Sequence, residues 1–442
     1  MKLQFRAVPP AYDRSRGCAY HEITHMQFHS HFFERPAPIT LACLLLGYCL
    51  PSGAAAGPTA ETVPALPATG ILTGKIAEGS PYDQLWSLPL LYKNAANPWL
   101  EELAVQGHLQ TQYASGSNVA GHFSTAHLPE SSTWDDVDVR RFRVGLRARV
   151  LQDWKFQSLF DIYPDCEPRY YKGTAETYIT YAPGDAFCAS VGKAELKFTR
   201  EQEVATGEYL PFERSQLVNQ FYGGELTGTW IAGKGVGGGW LYGLGVFSNQ
   251  REDEWPDFKG GAITLAKIGY NYTRVSGFDL AQAQLHYLHN SVPGYRESPG
   301  DLASPMFSDC IAIANDLTKG KFSLATELFW GNGAKGQADV CGFTAMPSYF
   351  LLEKLQLVTT FQVAASHAPN GICLPVRYEA LAPDTGDKKG DAYFAGYAGL
   401  NYLFYGQKLK VMSGLKYTHL AGGPGGGNYD GWTWLAGARI SF

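Results

Sequence analysis

The stretch Gly431–Phe442, GWTWLAGARISF, decides the fold. Trp432, Trp434, Ala436, Ala438, Ile440 and Phe442 fall on one side of a period-two pattern, and Thr433, Gly437, Arg439 and Ser441 fall on the other. Successive side chains of a β-strand point to opposite faces, so this segment reads as a strand with one oily and one polar side. A phenylalanine closing such a strand is typical of bacterial barrels recognised by the outer-membrane assembly machinery. The strand therefore belongs in a wall with lipid on one side and water on the other.

The same alternation runs back through the chain to Leu103. It divides into 16 strands at approximately 103–115, 138–151, 153–163, 174–182, 186–195, 217–232, 237–249, 259–274, 278–290, 307–317, 320–331, 341–351, 354–367, 391–404, 407–420 and 431–442. The connections come in two lengths. Gln152-Asp153, Pro183-Gly184-Asp185, Ser276-Gly277, Lys319-Gly320 and Tyr405-Gly406 are tight, whereas 116–137, 196–216, 291–306 and 368–390 are long. A transmembrane antiparallel β-barrel has this asymmetry, with tight periplasmic turns and long outer loops. An even strand count leaves both ends of the wall on the periplasmic side. A soluble propeller would repeat a motif roughly every 40 to 50 residues, and no such repeat is present.

Composition agrees. Hydrophobic residues make up 45% and charged residues 17%, with 50 Gly, 26 Tyr and 24 Phe, the mixture of a wall with aromatic girdles and close-packed strands. The mean hydropathy of -0.18 excludes a bundle of membrane helices, and no apolar run approaches the roughly 20 residues that a spanning helix needs. A net charge of -5 argues against a nucleic-acid partner. Five cysteines lie in the body, Cys166, Cys188, Cys310, Cys341 and Cys373, with no C-x-x-C pair. One or two disulfides could form in the periplasm; inert thiols on the wall are the plainer reading.

Residues 1–56 read as an export signal. Ile39–Leu50 is an apolar run of h-region length, Arg35 precedes it, and Ala54-Ala55-Ala56 supplies the cleavage pattern. Translation from Met26 would give a signal of ordinary size, so an over-extended start is expected. His21-Glu22-Ile23-Thr24-His25 spells H-E-x-x-H, but it precedes the signal and lacks helical periodicity, so no metal site is expected from it. Residues 57–102 form a periplasmic leader, with a short helix or plug near Tyr82 to Trp99, and 103–442 form the barrel.

The second strand carries the chemistry. In Asp138–Leu151, DVRRFRVGLRARVL, Phe142, Val144, Leu146, Ala148 and Val150 share one face; Arg141, Arg143, Arg147 and Arg149 share the other. An arginine facing lipid near the midplane would cost about 2–4 kcal/mol, so the four must face the lumen. At 3.3 Å per residue the row spans roughly 26 Å, most of the membrane thickness. It is either an anion track, since the guanidinium fork matches carboxylate and phosphate, or the ordinary polar wall of a wide barrel balanced by acids on an inner loop. Lys408, Lys410 and Lys416 are further lumen candidates.

The third outer connection, 196–216 (LKFTREQEVATGEYLPFERSQ), mixes Lys197, Arg200 and Arg214 with Glu201, Glu203, Glu208 and Glu213. Folded into the lumen, it would set opposed charges across the narrowest point. Left outside, it is a solvated loop.

At these residues the chain resembles the phosphate-selective porin O and P family. The resemblance rests on Arg140-Arg141-Phe142-Arg143-Val144-Gly145, on Val191-Gly192-Lys193 leading to Lys197-Phe198-Thr199-Arg200-Glu201, on Phe212-Glu213-Arg214-Ser215 and on Gly399-Leu400-Asn401-Tyr402, over about 103–442. It implies a 16-stranded trimeric porin of the outer membrane, with an inward third loop and anion-contacting Arg141, Arg143, Arg147, Arg149, Lys193 and Lys197. Arg200 and Arg214 join them from the loop. The third loop departs from the family: glutamates outnumber bases where a lysine cluster belongs.

The expected function is passive diffusion of small polar or anionic solutes, with a phosphate-selective channel as the alternative. Expected partners are outer-membrane lipids, the assembly machinery through the Phe442 strand, and two further copies in a homotrimer; no cofactor is expected. A barrel enzyme would need an activated pair, and His286, His289 and His367 stand beside no marked nucleophile. The Gly-x-Gly fragments in Gly233–Gly245 open no helix and make no nucleotide loop. A structural or partner-binding barrel without a channel is the rival from another class.

Overall fold

The computed structural model describes residues 79–118, 133–162, 170–221, 224–250, 254–297, 303–375, 379, 388–422 and 426–442. A short strand, β1 (Leu90–Lys93), precedes a wall of sixteen strands. Its first half is β2 (Leu100–Asn118), β3 (Thr133–Val150), β4 (Trp154–Ile162), β5 (Tyr171–Gly184), β6 (Phe187–Glu195), β7 (Glu225–Val236), β8 (Trp240–Ser248) and β9 (Ala262–Asn271). The second half is β10 (Leu280–Asn290), β11 (Phe307–Lys319), β12 (Phe322–Gly333), β13 (Val340–Phe350), β14 (Leu355–Ser366), β17 (Ala392–Tyr405), β18 (Leu409–Ala421) and β19 (Tyr429–Ser441). Between β14 and β17, β15 (Ile372–Cys373) and β16 (Lys389–Gly390) form a separate ribbon. Neighbouring wall strands pair antiparallel, and β19 pairs with β2 from Gly431↔Asn118 to Ser441↔His108, which closes the barrel.

The alternation read from the sequence sets the two faces. Trp432 and Trp434 are 45% and 47% exposed and point outward, while Thr433 and Arg439 between and below them are buried inside. Leu285, Ile313, Leu328, Phe361, Leu400 and Val411 continue the outward apolar band around the wall. Each lies where an unpaired polar group would face hydrocarbon, and the closed ladder leaves no such backbone group. Gly320 and Gly406, named as turn residues from the sequence, hold φ of 58° and 53°, a left-handed conformation that glycine adopts without a Cβ clash.

Strand positions agree with the sequence reading within a few residues, with one correction. The segment 217–232 is not one strand. Gln216–Phe221 is a helix inside the third connection, and β7 begins at Glu225. Leu217, Val218 and Phe221 lie on one buried helical stripe, which a period-two reading absorbs into the strand that follows.

The seam at the periplasmic end is built from both ends of the described chain. Phe442 pairs with Gly107 through its own N–H and C=O at 3.0 Å each. Below it, the Val105 N–H donates to the Pro89 carbonyl at 2.8 Å and the Asn94 N–H to the Glu101 carbonyl at 2.8 Å. So β1 continues the line of β19 along β2 and covers an edge that would otherwise be open. The helix Tyr82–Ser87 docks beside it, with Trp86 Nε1 donating to the Ser441 carbonyl at 2.7 Å and the Tyr405 hydroxyl donating to Asp83 at 2.7 Å. The signal segment, the H-E-x-x-H sequence and Cys166 lie outside the described residues. Cys188, Cys310 and Cys341 are free thiols, and no disulfide joins two of the described cysteines.

Candidate functional site

The third connection, between β6 and β7, is folded into the lumen. Leu196, Phe198, Leu217, Val218 and Phe221 pack against Phe247, Ile263, Leu288, Phe307, Ala312 and Phe329 on the inward wall. Farther along, Val204, Tyr209, Leu210 and Phe212 pack on Met346, Val358, Tyr397, Met412 and Leu435. Burying a side chain of this size contributes roughly 1.5–3 kcal/mol, which offsets part of the entropy lost in ordering the loop. Loop carbonyls meet donors from the wall. Asn401 Nδ2 donates to the Leu210 carbonyl at 2.9 Å and Lys410 Nζ to the Tyr209 carbonyl at 2.7 Å, while Arg439 donates to the Phe212 carbonyl. Charges tie the rest: Arg200 to Asp316 at 2.8 Å, Lys267 to Glu203, and Arg140 to Glu213 at 2.7 Å. Burial alone would lower the Arg200 pKa, and the surrounding Asp316, Glu201 and Glu327 carboxylates overcome that and raise it.

This packing is one-sided. Inward residues of β10 to β14, β17 and β18, such as His286, Glu327, Gln356 and Asn401, are buried under the loop. On β3 to β7 the inward Arg143, Gln157, Asp161, Glu176, Tyr178, Cys188 and Trp230 keep partial exposure, while Leu159, Ser190 and Leu226 between them are buried. The candidate passage therefore runs along the β3–β7 wall.

The sequence-named bases meet different fates there. Arg143 is gripped by Asp161 at 2.6 Å and Glu225 at 3.0 Å. Arg141 donates to Gln110 Oε1 at 3.0 Å. Arg147 and Arg149, at the periplasmic end, are 49% and 54% exposed, and their contacts to Glu102 and Glu101 are long, 3.4 and 4.0 Å. Arg214 pairs with Glu195, and Arg200 is buried against Asp316. Lys193 shares a strand face with the exposed Val191, and its ammonium donates to the Glu254 carbonyl at 2.7 Å. Lys197 is exposed on the loop and makes no ion pair with a described residue. Lys410 is buried against the loop, Lys416 is paired with Glu379, and Lys408 is exposed in a turn.

Two features were not legible beforehand. The β2–β3 register slips between Gln110↔Arg141 and Thr111↔Val139, with Arg140 as the extra residue at the slip. That bulge lets Arg140 reach Glu213 of the loop while Arg141 reaches Gln110. The Arg140-Arg141 doublet was its only sequence trace. The inward rings of Tyr178, Trp230 and Phe247 had no signal of their own, because aromatics on a barrel are expected to face lipid.

No protein-family model matches the chain, and no curated protein matches its sequence. Solved structures match its fold. The high-pH structure of OprB from Pseudomonas putida superposes with a TM-score of 0.54 at 12% identity, over 76% of this chain and 94% of that one. The anion-selective porin from Comamonas acidovorans gives 0.51 at 11% identity, over 77% and 99%. The outer-membrane channel DcaP of Acinetobacter baumannii gives 0.50 at 11%, over 79% and 99%. At these identities the likeness is one of fold: the chain has the closed-barrel architecture of the outer-membrane porins. The likeness does not single out the phosphate-selective porin O and P family among porins.

Proposed function

We propose that the chain is an outer-membrane porin that lets small polar solutes and ions diffuse passively along the β3–β7 wall, with a mild preference for anions. The observation that carries this reading is the contrast between the two halves of the lumen. Loop 196–216 seals one side with apolar packing and leaves charged and polar side chains partly exposed on the other. Arg147, Arg149 and Lys197 are the bases we assign to passing anions, with Arg143 at the narrow point; Arg141, Arg200 and Arg214 hold the frame around it, and Lys193, on the outward face of Val191, takes no part.

Phosphate selectivity is the second reading. Against it, Arg143, Arg200 and Arg214 already have carboxylate partners, so an entering phosphate would compete with Asp161, Glu225, Asp316 and Glu195. We also propose assembly as a homotrimer and membrane insertion through the Phe442 strand, after removal of residues 1–56 and retention of 57–102 as a periplasmic leader. Single-channel recording in planar bilayers tests the channel reading. A water-filled pore gives an ohmic current with a reversal potential slightly toward chloride in a KCl gradient. Block of that current by micromolar phosphate would favour the selective reading, and no current at all would remove both.

A further inference from the structure

Two lateral rows of inward side chains cross the open wall at neighbouring heights. Register places Arg147, Gln157, Tyr178, Gly192, Gly228 and Phe247 in one row, on β3 to β8. The row beneath it holds Arg149, Lys155, Thr180, Ser190, Trp230 and Gly245. One end of both rows is basic and the other is aromatic.

At the aromatic end each ring stands beside a glycine. A Cβ on Gly228 would come within 2.4 Å of the Phe247 ring, one on Gly245 within 2.5 Å of the same ring, and one on Gly192 within 2.8 Å of the Tyr178 Cβ. The missing side chains are what lets the rings lie close against the wall. Trp230 stacks on Phe247 at 5.6 Å and 22°, and Tyr178 meets Trp230 edge-on at 5.4 Å and 69°. Phe247 is buried, while Trp230 and Tyr178 keep partial exposure. The result is a small π platform inside a wall whose other large apolar side chains mostly face lipid.

At the basic end, Arg147 and Arg149 are half exposed and only loosely held by Glu102 and Glu101. Lys155 is exposed and makes no ion pair with a described residue. Strands lie about 4.8 Å apart, so Arg147 stands roughly 10 Å from Tyr178 across β4. An extended arginine and a ring acid span that gap together. Glu176, one step above Tyr178, is occupied by Gln157 Nε2 at 2.7 Å.

We propose that these two rows form a binding site for an aromatic carboxylate, with the ring on Trp230 and Tyr178 and the carboxylate toward Arg147 and Lys155. The assignment rests on the channel reading above and names a solute class for it. Flat rings gain from offset or edge contacts with aromatic side chains, and a guanidinium takes a carboxylate by two parallel N–H···O bonds. A neutral sugar would use the platform but has no need of three bases beside it.

Benzoate is the probe, added in millimolar steps to a bilayer carrying a steady KCl current, with maltotriose as the comparison. The expected result is block by benzoate and little by maltotriose. Trp230→Ala raises the half-blocking concentration at least tenfold, Trp230→Phe keeps it within about threefold, and Arg147→Gln raises it several-fold. Equal block by maltotriose, or benzoate block unchanged in Trp230→Ala, overturns the assignment. If the wild-type protein passes no current, the channel reading fails separately. Calorimetric titration of benzoate into the detergent-solubilised protein then decides the site: binding lost in Trp230→Ala sustains it, and no binding to the wild type ends it.

Discussion

Arg143 on β3 and Glu225 at the head of β7 form an ion pair at 3.0 Å although four strand positions separate them around the wall. Asp161, next door on β4, holds the same guanidinium at 2.6 Å. One base thus bridges the open arc between two acids, and with side chains only 12–26% exposed the pair is screened less than a surface one. Arg143→Ala leaves two unpaired carboxylates at the narrow point and is expected to move the reversal potential toward potassium. The double change Asp161→Asn with Glu225→Gln frees the guanidinium and should move it toward chloride, by about twofold or more in the permeability ratio. Unchanged ratios in both variants would place the selective point elsewhere.

The loop anchor can be weighed in the same way. Arg200 and Asp316 are almost wholly buried, and breaking such a pair by removing one partner costs roughly 3–5 kcal/mol because the other charge is left stranded. Asp316→Ala is therefore expected to loosen the third connection and lower the temperature at which the folded band disappears from a heat-modifiability gel. Arg200→Met combined with Asp316→Leu should recover most of the loss. Failure of the double variant to do better than the single one would show that the pair is needed for more than its charge.

The wall was legible because a barrel strand needs only two things, alternation and a turn, and both are local. Even β10, whose pattern in sequence is poor, alternates regularly in burial from Gln284 to Asn290 once Gln284, His286 and Asn290 are recognised as inward. The site was harder. Arg141, Arg143, Arg147 and Arg149 share one side of β3, but their partners Gln110, Asp161, Glu225, Glu102 and Glu101 lie on other strands or at loop ends. Charge pairing across a closed sheet depends on register and on where the third connection lies, and neither has a local signature. The helix Gln216–Phe221 was missed for the same reason, since its apolar stripe serves a surface supplied by distant strands.

Acid should release the loop late. Burial would raise the Glu203 carboxyl, but the Lys267 ammonium outweighs it, together with His286 and a hydrogen bond from Gln284, and the pKa falls from 4.5 to about 2. A carboxyl depressed in the folded state contributes stability that is fully present above its unfolded value and is lost as pH falls through the folded one. Conductance and loop protection from protease are thus expected to hold from pH 7 to near 5 and to change only as the pH falls from about 4.5 toward 2. In Glu203→Gln the acid step should shrink, because the group that titrates is gone. A step of the same size in that variant would assign it to another carboxyl.

Two cysteines give an independent test of which side of the wall is wet. Cys188 pairs with Ala232 on the inward face that carries Trp230, beside the open arc, and is partly exposed. Cys341 pairs with the outward Trp330 and is exposed on the lipid side, while Cys310 is buried beneath the loop. A membrane-impermeant, charged methanethiosulfonate reacts with thiolates that water can reach. In bilayers or vesicles it should therefore modify Cys188, with a stepwise fall in conductance that Cys188→Ser abolishes. Cys341 should react only with an apolar maleimide that partitions into lipid. Fast modification of Cys310 with Cys188 spared would mean that water runs on the far side of the third connection, and the passage drawn along β3–β7 would have to be abandoned.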